Sequence, residues 1–152
     1  MIEVETARFT VGVFQDVAWA QKGLDALKRG GFPAESLTII AKESGETSAL
    51  VARTLGSAGE RLDLAGVGPA VARGPLVDAL QGGARDLPKL GLAGTMRRIG
   101  FQAHDGRILD TLTGRSGMLV AIRSAPRAAD ALAILHAYGG GNAAIGAWTG
   151  RL

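Results

Sequence analysis

The sequence predicts an α+β fold: a ferredoxin-like split βαβ arrangement with a long helical, glycine-rich insertion between strands two and three. Three observations lead there. A strand–helix–strand pattern near the N-terminus recurs near the C-terminus at one constant offset, so that Phe14 matches Ile122, Leu24 matches Leu132, Leu27 matches Leu135 and Gly31 matches Gly139. About 70 residues separate the two units, too many to be structureless inside a compact domain. The strands of both units are apolar on both faces, so each side of the sheet calls for a cover.

Residues 8–14, RFTVGVF, alternate β-branched and aromatic side chains and read as the first strand. Asp16 caps the helix that follows, whose Val17, Ala20, Leu24 and Leu27 recur at helical spacing and which Gly30 and Gly31 end. Pro33 and Ser36 bracket a turn, and residues 37–42, LTIIAK, are the second strand.

Residues 47–55 form a short helix within the insertion. Residues 64–80 are read as helical, with Pro69 and Pro75 opening turns. Residues 90–99 and 105–112 are two more helices, and 114–117 turn the chain into the third strand, 118–122. Ser124 caps the second long helix, with Pro126 in its first turn and Ala128, Leu132 and Leu135 on one face. That helix stops at Gly139–Gly141, and residues 143–148 are the last strand. The chain reads as a single domain, 1–152, with units 1–43 and 117–152 flanking the insertion 44–116. Either the insertion or a second subunit covers the other sheet face.

Composition narrows the chemistry. The chain has 152 residues, 47% hydrophobic and 20% charged, with 23 Gly, no Cys and two His. That supports a buried core and excludes disulfides, thiolate metal sites and cysteine nucleophiles. The net charge of +3 comes from the part of the chain after residue 60. No stretch has the dense Lys/Arg packing of a nucleic-acid arm. The N-terminus carries acids where a signal peptide carries bases. The charge-free run 131–150 is broken by three consecutive glycines, which argues against a membrane helix. A cytoplasmic protein is the simplest expectation.

VGVFQDVAWAQKGLDALKRGGFPAESLTIIAKE resembles the opening of the heat-induced stress protein, YflT-type general-stress domain family. GPAVARGPLVDAL is similar to the glycine-rich middle of its longer members, and GRSGMLVAIRS with the helix after it to the closing half. The tail GGGNAAIGAWTGRL departs from the pattern. The resemblance implies a stress-related bacterial protein. It brings no catalytic, cofactor or metal residues with it.

His104–Asp105 is the one adjacent imidazole–carboxylate pair, but Asp105 there is more simply an N-cap than a catalytic acid. His136 falls in the last turn of its helix, where a cation meets the helix dipole. Gly139, Gly141 and Ala144 loosely fit a dinucleotide fingerprint, yet follow a helix where that motif follows a strand. Gly66 and Gly68, before Pro69, offer backbone N–H groups to an anion, with Arg97 and Arg98 as the nearby basic pair; tight packing is the competing use. The central strands offer Phe9 and Phe14 in the first and no aromatic in the third, and Phe9 shares its face with Val11 and Val13 and reads as core, so the stacking platform of an RNA-binding sheet is missing. Trp19 and Trp148 are the interface candidates.

These readings point to a non-enzymatic, stress-associated structural or interaction protein that self-associates, most simply as a two-fold dimer. It has no cofactor, no metal, no membrane span and no nucleic-acid partner, with room for a protein partner. The alternative is a small-molecule-binding regulatory module of ferredoxin-like fold.

Overall fold

A computed structural model describes residues 9–56, 59–81, 85–96, 101, 103–123, 127–139 and 144–145. The strands are β1 (Phe9–Phe14), β2 (Leu37–Lys42), β3 (Glu60–Leu64), β4 (Gly68–Arg73), β5 (Met118–Arg123) and β6 (Ala144–Ile145). The helices are α1 (Val17–Arg29), α2 (Gly45–Leu55), α3 (Pro75–Gln81), α4 (Leu87–Thr95), α5 (Ala103–Gly114) and α6 (Ala128–Ala137). The fold is α+β, with one antiparallel sheet of order β3-β4-β2-β5-β1-β6.

The first unit forms as its residues dictate. Asp16 Oδ1 accepts the Trp19 backbone N–H at 2.9 Å, the N-cap bond. Ala20, Leu24 and Leu27 bury one face of α1, and Gly31 ends it at φ +96. Ala34–Ser36 make a 3-10 turn after Pro33, closed by Ser36 Oγ donating to the Pro33 carbonyl.

The second unit repeats the first with a shift. Leu135 is buried like Leu27, and Gly139 has φ +82, the left-handed backbone of Gly31. Leu132, expected to match fully buried Leu24, is half-buried; Ala131 takes the inner position instead. Helix α6 begins at Ala128 with Arg127 at its N-cap position. Ser124 and Pro126 lie outside the described residues. Leu24→Ala should therefore destabilise by ~2–5 kcal/mol and Leu132→Ala by clearly less, a difference that denaturant titration reads directly.

The insertion departs most from expectation. Residues 60–73 are a β-hairpin, not helix, and they widen the sheet from four strands to six. Leu62 and Leu64 point to one face while Arg61 and Asp63 are exposed on the other, which is strand alternation. Pro69 sits inside β4, while Pro75 opens α3 as expected. Helix α4 begins at Leu87 and is broken at Gly91 (φ +73). Asp105 lies in the first turn of α5, which begins at Ala103, so it is not the N-cap.

Two hydrophobic cores result. Phe14, Leu24, Leu27, Ile39, Val120, Ile122 and Leu135 fill one, beneath α1, α2 and α6. Phe9, Val11, Ile40, Leu119, Leu76, Leu80, Leu92 and Leu109 fill the other, beneath α3, α4 and α5. The insertion thus covers the second sheet face, and the two-sided strands are satisfied within one chain. No helix among the described residues is long and apolar enough to cross a membrane.

Candidate functional site

The hairpin, α2 and α3 converge on a cleft of about 410 Å³ at one end of the sheet. Leu37, Leu55, Ala72 and Val77 give it an apolar lining, and Glu35, Glu60, Asp78 and Arg73 bring charge to its walls. All four charged residues are exposed. They come from the 3-10 turn, β3, α3 and the end of β4, so only the fold brings them together.

A glycine turn and two side-chain caps hold this end in shape. Gly74 turns the chain from β4 into α3 at φ +126, pressed against Leu37 and Thr38 of β2. The buried Thr38 Oγ1 then accepts the Leu76 N–H at 3.0 Å, so a side chain from β2 caps the first turn of α3. Gln81 repeats the device, its Oε1 accepting the Leu87 N–H at 3.1 Å at the start of α4. Thr38→Val keeps the shape and leaves the Leu76 N–H without its acceptor. It should lower stability by ~1–3 kcal/mol in a denaturant titration.

Gly66 and Gly68, the candidate anion contacts, lie at the turn between β3 and β4. Gly66 lies in the hairpin turn at φ +87, and a Cβ there would stand 2.8 Å from Asp110 Oδ2. A carboxylate, not a basic group, is its neighbour. Gly68 opens a strand, so no helix N-terminus stands behind the pair. Arg97 and Arg98 lie outside the described residues. The glycines serve close packing: Gly91 lies against the Ala65 carbonyl, Gly114 lies against the Gly66 carbonyl, and the Ala65 N–H donates to the Pro88 carbonyl at 2.9 Å. The hairpin turn is thus held by both α4 and α5.

Asp110 is itself informative. Its Oδ1 is buried without a hydrogen-bond partner among the described residues, and burial raises its pKa above the ordinary 3.8. A carboxyl raised in the folded state holds its proton to higher pH than in the unfolded chain. Its ionisation therefore adds no penalty below the unfolded pKa, and stability falls as pH rises through the folded value. Asp110→Asn should raise Tm at neutral pH and lose that advantage by about pH 3, where both carboxyl states are protonated. An equal gain at both pH values would show that charge is not the cause.

Trp19 is exposed at 39%, with the Lys22 ammonium 4.6 Å from its ring centre. Leu90 is also exposed, at 43%, but α1 and α4 cover opposite sheet faces, so the two side chains form no common patch. Trp148, Gly141 and the side chain of His104 lie outside the described residues. His136 is exposed in the last turn of α6, as expected. Among the described residues no cluster of His, Cys, Asp or Glu is arranged to hold a metal ion.

No family model, no curated protein and no solved structure matches this chain.

Proposed function

We propose that this chain is a non-enzymatic module of ferredoxin-like, split βαβ architecture that binds a small molecule in the cleft beside Arg73. The observation that carries this is the fate of the second sheet face. With that face covered by the chain's own α3, α4 and α5, apolar strands no longer call for a second subunit. What the insertion adds at the sheet end is a concave space with walls from separate parts of the chain. Concave sites with an apolar lining and a few polar groups are where small ligands bind. The strand order β6-β1-β5-β2 supports the architecture, being that of two interleaved βαβ units.

The wall charges define the ligand class. Arg73 suits a carboxylate, Glu35, Glu60 and Asp78 suit an ammonium, and Leu37, Leu55 and Val77 suit an apolar body. A small zwitterion with a hydrophobic side chain matches all three. The test is thermal unfolding of the protein with leucine and phenylalanine as probes, beside their amides and alcohols, which keep the amine and lack the carboxylate. Ligand at a hundred times its Kd should stabilise the fold by ~2.7 kcal/mol. Stabilisation by the zwitterions that disappears in Arg73→Gln supports the assignment. No shift with any zwitterion, or a shift unchanged in Arg73→Gln, overturns it.

A second reading, a stress-associated protein that self-associates, takes its cellular setting from the sequence resemblance. It is favoured structurally by β3, which among the described residues pairs on one side only.

A further inference from the structure

β3 is the terminal strand on its side of the sheet, and among the described residues only β4 pairs with it. The ladder shows which of its backbone groups face outward. The Glu43 N–H donates to the Pro69 carbonyl, so Pro69 and, by alternation, Val71 and Arg73 turn their backbone groups toward β2. Ala70 and Ala72 then turn theirs toward β3, where they face Leu62 and Glu60. Arg61 and Asp63 are left with N–H and C=O groups pointing away from the sheet. The next outward group, the Ala65 N–H, is taken by the Pro88 carbonyl, which closes that end of the edge.

The side chains of the same two residues have opposite charge, lie on the same face and are exposed. A second copy of β3 laid antiparallel about a two-fold axis at Leu62 would set Arg61 opposite the other copy's Asp63, twice. In that register the outward-facing backbone groups meet their complements as hydrogen-bonded pairs. Sliding the partner by two residues puts Arg61 opposite Arg61, or Asp63 opposite Asp63, and directly opposed like charges are unfavourable. An edge of one charge sign would repel its own image; this edge is complementary to it. Arg61 also holds Glu43 at 3.0 Å, and its five donors can serve both carboxylates.

We infer that the β3 edge is a self-recognition surface, through which two copies pair about Leu62 with reciprocal Arg61–Asp63 contacts. This deepens the self-association reading by naming its surface, which is neither Trp19 nor Trp148. The contact is short and polar, which places it among weak, reversible associations.

Sedimentation velocity of the full chain across a concentration series tests it. The wild type should show a monomer–dimer equilibrium that weakens with added salt. Arg61→Asp and Asp63→Arg should each weaken dimerisation by about tenfold or more, since each creates two opposed like-charge pairs. The double variant Arg61→Asp/Asp63→Arg restores complementarity and should recover the dimer. Circular dichroism confirms that each variant is folded, and both positions are exposed on an edge strand. A dimer indifferent to the single changes, or a double variant that fails to recover, overturns the edge assignment and leaves self-association standing. A strict monomer overturns both. Loss of the dimer in Trp19→Ala alone would return the contact to the helix face.

Discussion

Gly74→Ala should be among the most damaging single substitutions in the chain, lowering stability by roughly 3 kcal/mol or more. Two costs combine. Its φ of +126 is a backbone conformation that L side chains rarely adopt. A Cβ built there would also overlap the Leu37 carbonyl oxygen and the Thr38 Oγ1 and Cα. Two of those atoms belong to the backbone of β2, a buried strand that cannot retreat without breaking its pairing with β5. Relief requires the β4–α3 turn to move, which separates Leu76 from its Thr38 cap and changes the wall of the cleft. Chemical denaturation gives the stability loss. If Gly74→Ala behaves like a surface change, within about 0.5 kcal/mol of wild type, the close crossing of the two chain segments is wrong.

Leu80→Ala and Leu92→Ala are expected to cost ~2–5 kcal/mol each, as much as Leu24→Ala in the first βαβ unit. All three side chains are fully buried. Leu80 and Leu92 stand in the same cluster as Phe9, Val11, Ile40 and Leu119, the second-face residues of the central strands. Truncation leaves a cavity against a sheet that cannot collapse onto it. An appended insertion would behave otherwise: its leucines would be replaceable with little effect on unfolding of the rest. Parallel denaturant titrations of the three variants distinguish the two cases.

How legible this was differs by segment. α1 announced itself through an N-cap, an apolar stripe and a glycine stop, all local signals, and each does its expected work. The need to cover both sheet faces was also readable, because Leu37 through Ala41 offer no polar side to water. The hairpin was not read, although ERLDL alternates as a strand should. Its following residues are small, and small residues carry no period. Pro69 also spoke for a helix start; inside β4 it is tolerated because the missing N–H would point toward the end of β2, where Glu43 needs only its carbonyl.

The cleft left no motif at all. Glu35, Glu60, Arg73 and Asp78 are each ordinary exposed charges in sequence, and their meeting depends on a hairpin that widens the sheet. Gly66 and Gly68 suggest an anion loop for a local reason; that the Asp110 carboxylate packs against Gly66 depends on α5, far along the chain, and leaves no local signal.

The central claim is that the insertion belongs to one cooperative sheet and seals its second face. Native-state amide hydrogen exchange tests it most directly, by comparing residues 70–72 of β4 with residues 119–121 of β5. If the claim holds, the hydrogen-bonded amides of both strands exchange through the same global unfolding, with equal opening free energies and equal dependence on denaturant. Exchange in β4 and α3 through a separate opening about a hundredfold or more easier, with β5 still protected, would contradict it and make the insertion an independent appendage.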